Sequence, residues 1–208
     1  MKIGEISKPR FEFRTFGRDF TDAAYIMTRL SIPVPEKVWE RTSKETYIIS
    51  RTNDVNNTKI RDGKMDIKTF VTAVDGFEQW NPLMKGAFPM KSEQLAKEVF
   101  PAFKVEMPAL EDRNYELEEF LEIVKAHPDL LAVSVEKERF GYMVNDTICE
   151  YANVWINGAM VTTVNSESTE VEDIKKTIND LGLEGVENIN YLQAIKRIVG
   201  MNDKKLAN

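Results

Sequence analysis

The stretch Glu45–Val71, ETYIISRTNDVNNTKIRDGKMDIKTFV, decides how the rest of the chain is read. It divides into three short extended segments: Tyr47–Arg51, Lys59–Arg61 and Lys64–Val71. An Asn- and Asp-rich cluster at Asn53–Asn57 separates the first two. Asp62-Gly63 joins the last two, because a glycine after aspartate tolerates the positive φ of a tight hairpin turn. Side chains two apart share a strand face. Tyr47, Ile49 and Arg51 therefore point together, as do Lys59 and Arg61, while Asp66 and Lys68 lie opposite Met65 and Ile67. With aligned registers, one surface of a small sheet gathers Arg51, Lys59, Arg61 and Lys68. Cations that close repel one another, so the cluster needs an anion or several carboxylates nearby. The alternative is a solvated outer face, where alternating Lys and Arg are routine.

Outward from this stretch the pattern repeats. On the N-terminal side, Arg10-Phe11-Glu12-Phe13-Arg14 alternates charge and ring, so Arg10, Glu12 and Arg14 share a side and the phenylalanines take the other. Asp19–Leu30 has apolar residues at helical spacing, ended by Pro33 and Pro35. On the C-terminal side, Asp75–Pro89 reads as a loop anchored by Trp80 and prolines. Ser92–Phe100 reads as a short helix with Ser92 as N-cap, Ala102–Met107 as extended, and Asn114–Ala126 as a helix. Leu131–Phe140 is a strand placing Val133, Val135, Lys137 and Arg139 on one face. Gly141–Asp146 turns or bends the chain. Thr147–Ile156 and Ala159–Glu167 form a hairpin through Asn157-Gly158, with Glu150 beside Ile148 and Ala152, and Glu167 beside Thr163 and Asn165. Thr169–Leu181 is a helix with Thr169 and Glu172 at capping-box spacing, and Asn190–Val199 is a last helix. The class is α+β: two blocks of antiparallel strands, each with helices, forming one closed or nearly closed sheet.

Composition bounds the function. The chain has 208 residues, 42% hydrophobic and 30% charged, an ordinary globular composition with a substantial core. Twenty-eight Lys and Arg against 34 Asp and Glu give a net charge of -6, which argues against a duplex nucleic-acid partner but not against a local phosphate site. The single cysteine, Cys149, excludes an internal disulfide and a multi-cysteine metal site, and fits a reducing compartment; the cytoplasm is the expected location. No apolar run reaches membrane length, so no membrane partner is expected. The single histidine, His127, borders a helix, and no Ser or Cys triad assembles without it. There is no Gly-rich phosphate loop.

The order of these pieces resembles the CYTH, or triphosphate tunnel metalloenzyme, superfamily: a charged N-terminal strand, a hairpin with Arg, Lys-x-Arg and Lys, then a Lys-x-Arg strand, then a hairpin bearing glutamates before C-terminal helices. The resemblance runs from about residue 8 to 200. It implies one domain over residues 1–208, with two pseudo-equivalent halves at about 8–75 and 130–200 joined by a helical segment. It also implies an antiparallel eight-stranded tunnel-like barrel with a charged lumen and helices packed outside. Arg14, Arg51, Lys59, Arg61, Lys68, Lys137 and Arg139 then correspond to phosphate-binding cations, and Glu12, Glu150 and Glu167 to catalytic, metal-holding acids for Mg²⁺ or Mn²⁺. Two acids of the family's paired motifs are replaced, by Arg10 and Asn165. The activity so implied is metal-dependent hydrolysis of an inorganic or organic triphosphate or polyphosphate. A non-catalytic phosphate or nucleotide module and a class IV-like adenylyl cyclase are the alternatives, and a homodimer is left open.

Overall fold

The computed structural model describes residues 9–31 and 40–206; the helix-ending prolines 33 and 35 lie outside them. The described residues form ten strands: β1 (Phe11–Gly17), β2 (Glu40–Ser50), β3 (Asn56–Arg61), β4 (Lys64–Val74), β5 (Phe77–Ala87), β6 (Met90–Lys91), β7 (Asn114–Tyr115), β8 (Leu130–Val144), β9 (Thr147–Ile156) and β10 (Ala159–Ser168). Six helices accompany them: α1 (Thr21–Leu30), α2 (Ser92–Gln94), α3 (Phe100–Phe103), α4 (Leu117–Ala126), α5 (Val171–Asp180) and α6 (Tyr191–Ile198), with a π-helical turn at Leu95–Val99. Eight strands close into an antiparallel barrel in the order β1-β10-β9-β8-β2-β3-β4-β5; β6 and β7 form a separate two-stranded ribbon.

Local chemistry makes the barrel. Both residues of the Asp62-Gly63 and Asn157-Gly158 turns have positive φ, as a primed hairpin turn requires for its twist to match the strands. Asp75-Gly76 has the same geometry. The stretch expected to be a loop, Asp75–Pro89, is therefore a hairpin return into β5. Pro82, one of the expected loop anchors, is accommodated in the strand at a bulge: Ile67 pairs with Met84 and Lys68 with Pro82, leaving Leu83 unopposed.

Several helix expectations need adjusting. Ser92 is the first residue of α2, not its cap. The Ala102–Met107 segment begins inside α3 rather than as extended chain. Asn114 and Tyr115 belong to the ribbon, so α4 begins only at Leu117. The cap of α5 is Glu170, with no side-chain hydrogen bond, so the Thr169–Glu172 capping box does not form. The box that does form joins Glu116 and Glu119 at α4. His127 does border that helix: it is the C-cap of α4, and its Nδ1 accepts from the Asp129 amide. No helix among the described residues is long and apolar enough to cross a membrane.

Alternation then sorts the side chains. Outward residues of β2–β5, such as Ile60, Met65 and Ile67, pack under α2–α4 around Phe100, Phe103 and Phe120. Phe13, Val164 and Cys149 pack under α1 and α5 with Met27 and Ile174. The inward side is divided. The family resemblance implies a polar interior, yet Phe16, Ile49, Val133, Val135 and Val154 fill one end, where Leu192 and Ile195 of α6 pack onto them. The remaining inward volume is charged. Residue by residue along β8, the inward face passes from Val133 and Val135 to Lys137 and Arg139. The hydrophobic plug supplies the burial that offsets the cost of desolvating charge at the other end.

Candidate functional site

The charged end holds a cavity of about 120 Å³ whose floor is Tyr191 from α6 and whose walls carry both signs, Arg14, Lys59, Lys68 and Lys137 with Glu12, Asp66 and Glu167. That volume is about four water molecules' share of liquid, the scale of a phosphoryl group. Two larger open clefts meet it at the mouth. One, of about 480 Å³, shares Lys59 and adds Arg61, Lys64 and Lys85; the other, of about 680 Å³, shares Lys137 and adds Ser43 and Trp155.

Each charged group reaches this end because its strand alternates. Glu12 and Arg14 are two apart on β1, Lys59 and Arg61 on β3, Asp66 and Lys68 on β4, and Lys137 and Arg139 on β8. On β10 the inward face carries Thr163, Asn165 and Glu167, so an amide stands where the resemblance implies a second acid. The carboxylates of Glu12, Glu150 and Glu167 thus come from three neighbouring strands, β1, β9 and β10.

The ion pairs fall into two networks. In the first, Lys137 Nζ donates to Glu45 Oε2 at 2.7 Å and to the Tyr47 hydroxyl at 2.9 Å, and sits 3.9 Å from the Tyr191 ring centroid. Arg61 reaches the other oxygen of Glu45 at 3.5 Å. Burial pushes the Lys137 ammonium down to about 7, opposed by Glu45 and helped by Lys59 and Arg14. Glu45 is held down to about 2: burial opposes its charge, but Lys137, Lys59 and Arg61 outweigh that. In the second network, Arg14 Nε donates to Glu12 Oε1 at 2.6 Å, and its guanidinium lies 4.8 Å from the Tyr191 centroid. Glu150 is ringed by three arginines, with Arg139 Nε at 2.6 Å, Arg14 at 3.7 Å and Arg41 at 3.8 Å. Arg10 pairs with Glu167 at 3.2 Å. Burial opposes the charge of Arg14, yet Glu12 and its neighbouring acids hold its pKa above the ordinary value. Burial and the Glu12 charge raise Glu167, whereas at Glu12 burial is outweighed by Arg14 and the pKa falls.

Lys59 and Lys68 differ from the rest: among the described residues neither has a carboxylate within ion-pair distance. Burial, Lys68 and Arg61 lower the pKa of Lys59, partly offset by Glu45 and Asp66.

Nine of the ten residues expected at the site converge on this end of the barrel. Arg51 does not. It lies past the end of β2 in an exposed turn, its amide bonded to the Asp129 carbonyl. Lys59 pairs with Tyr47, and Arg51 is four residues further along, roughly 13 Å of extended chain. That distance carries it beyond Ile49 to the apolar end. Sequence reasoning also missed Glu45 and Tyr191. Glu45 was legible, since it is two residues before Tyr47 on the same face. Tyr191 was not, because it arrives on a helix far along the chain.

The acids do not fit a divalent metal. Among the described residues no three His, Cys, Asp or Glu side chains gather in a group able to hold one. Glu12, Glu150 and Glu167 are each paired with arginine. The Asn165 amide donates to both Glu12 (3.3 Å) and Glu167 (2.9 Å).

The fold and site define a closed antiparallel barrel with a charged inner cavity lined by both cations and carboxylates. No family model matches the chain, and no curated protein is similar to it. Solved structures are. A Bacillus halodurans protein provisionally named an adenylate cyclase aligns at TM-score 0.50 and 10% identity, over 88% of this chain and 94% of that one. A Hippeastrum protein, provisionally named an adenylyl cyclase and described as having a dominant triphosphatase activity, aligns at 0.48 and 10%, over 90% and 95%. A Pyrococcus horikoshii protein aligns at 0.45 and 14%, over 88% and 96%. At these identities the likeness is one of fold.

Proposed function

We propose that the chain binds a phosphorylated anion of the triphosphate class in the inner cavity, with its outer part extending into the clefts at the mouth. The observation that carries this is the pair Lys59 and Lys68, two ammonium groups from adjacent strands facing one cavity with no carboxylate in ion-pair contact among the described residues. An incoming anion relieves their mutual repulsion and gains charge-assisted hydrogen bonds. Arg14, Arg139 and Arg61 are held by acids and form the frame around it. Hydrolysis assisted by Mg²⁺ or Mn²⁺, which the family resemblance implies, has less support, because its acids are committed to arginine; no catalytic step is assigned to Glu12, Glu150 or Glu167. The test is a thermal-shift and phosphate-release assay with tripolyphosphate, thiamine triphosphate and ATP, in Mg²⁺, Mn²⁺ or EDTA. A stabilising shift with at least one of them is expected; no shift and no phosphate release with any of them ends the reading. Product analysis on ATP separates hydrolysis from cyclisation.

Lys137 gives binding a pH dependence. It carries its proton below about 7 and loses it above, so the cavity is more positive on the acid side. An anion bound beside it favours the protonated form. Affinity for sulfate, whose own charge is constant in this range, should therefore fall as pH rises through 7, with proton uptake on binding. Calorimetry in two buffers of different ionisation enthalpy reads both effects. An affinity that is flat between acidic and alkaline buffer would remove Lys137 from the site.

A further inference from the structure

We infer that Arg10 and Arg14, together with the Asn165 amide, take the place of a divalent cation in this barrel, so that binding of a phosphorylated anion there is metal-independent. The inference rests on the proposed anion binding, and the disagreement between the acids and a metal site carries it. Glu12 and Glu167 are direct register partners on β1 and β10 and face one another across the strand pair. A hard cation shared between two carboxylates would sit between them. In this chain Asn165 Nδ2 donates to Oε1 of both, so its hydrogens, carrying partial positive charge, point at the position a cation would take. Each carboxylate also has its own guanidinium, Arg14 at 2.6 Å for Glu12 and Arg10 at 3.2 Å for Glu167. Guanidinium stays charged at every working pH and cannot dissociate as a metal can. The third acid, Glu150, is bonded by Arg139 and has Arg14 and Arg41 at 3.7 and 3.8 Å, although its Oε1 and the Asn165 Oδ1 are buried without a hydrogen-bond partner. The charge that a metal would bring is thus built into the chain.

Two measurements test this. Wild-type protein titrated with Mn²⁺ and followed by electron paramagnetic resonance should leave the signal of the free aqueous ion undiminished. Tripolyphosphate affinity in EDTA and in Mg²⁺ should agree to within about threefold. Stoichiometric Mn²⁺ uptake by the free protein, or affinity that rises about tenfold or more with Mg²⁺, overturns the inference. If tripolyphosphate binds under neither condition, the proposed function fails, and the Mn²⁺ titration still decides whether the free barrel takes a metal. The double variant Arg10→Glu, Asn165→Glu should gain Mn²⁺ binding of at least about tenfold over wild type. If it folds by circular dichroism and takes up no more Mn²⁺ than wild type, these residues are not what excludes the metal. If it does not fold, the wild-type titration decides.

Discussion

Replacing Arg14 by methionine lowers the unfolding free energy by about 1 to 3 kcal/mol, the cost of leaving the half-buried Glu12 carboxylate without its guanidinium. Arg14 is 6% exposed and serves two acids at once, Glu12 at 2.6 Å and Glu150 at 3.7 Å. It also donates to the Thr163 hydroxyl at 3.3 Å and lies over Tyr191. Methionine fills much of the volume, so packing loss is small and the change is mainly electrostatic. Urea denaturation at neutral pH measures it. Adding Glu12→Gln to Arg14→Met should recover part of the loss, since it removes the carboxylate that Arg14 pairs, while Glu150 keeps Arg139; the single costs then fail to add. A loss below about 1 kcal/mol would mean that water reaches these acids freely and that the network is not structural.

Replacing both Lys59 and Lys68 by alanine weakens tripolyphosphate binding by about 100-fold or more while leaving the fold intact. A hydrogen bond to a charged group contributes about 1.5 to 3 kcal/mol, so each lysine is worth about tenfold or more. The fold survives because the acids these lysines help to neutralise keep their direct partners, Glu45 with Lys137 and Arg61, and Glu12 with Arg14. Removing Lys68 alone should cost less than half of the double effect, because it also relieves a repulsion that adds to burial in lowering the pKa of Lys59. Calorimetric titration at constant pH separates the three variants, with circular dichroism as the check on folding. Retention of wild-type affinity in the double variant would move the ligand out of this cavity.

The two effects divide the charged residues by task. Those with acid partners hold the barrel together at its charged end, and those without partners are free to meet a ligand. A buried ion pair contributes little net stability when compared with an apolar pair, but losing one member is costly. The division explains how one surface can be both strongly charged and folded. Lys137 stands in both groups, in the first by its Glu45 contact and in the second by its position in the cavity wall.

Much of the strand pattern was legible along the chain because it is local. Asp62-Gly63 and Asn157-Gly158 set hairpin turns through their own positive φ. Alternation at Glu12 and Arg14, Lys59 and Arg61, or Lys137 and Arg139 fixes which side chains share a face before any partner strand is known. The order of those segments, through the family it resembles, implied the closed eight-stranded barrel and the common face of nine of the ten expected site residues. β5 reads as a loop along the chain, with Trp80 and the prolines as anchors, and only the pairing with β4 reveals the bulge that admits Pro82 to a strand. Which end of the barrel is charged, which acids are spent on arginines, and where Arg51 lies depend on the shear of closed strands and on α6 entering one end. Tyr191 and Asn165 meet Arg14 and Glu12 only there, across more than a hundred residues of chain. Contacts between residues so distant in sequence are set by the packing of the whole barrel, and no local pattern carries them.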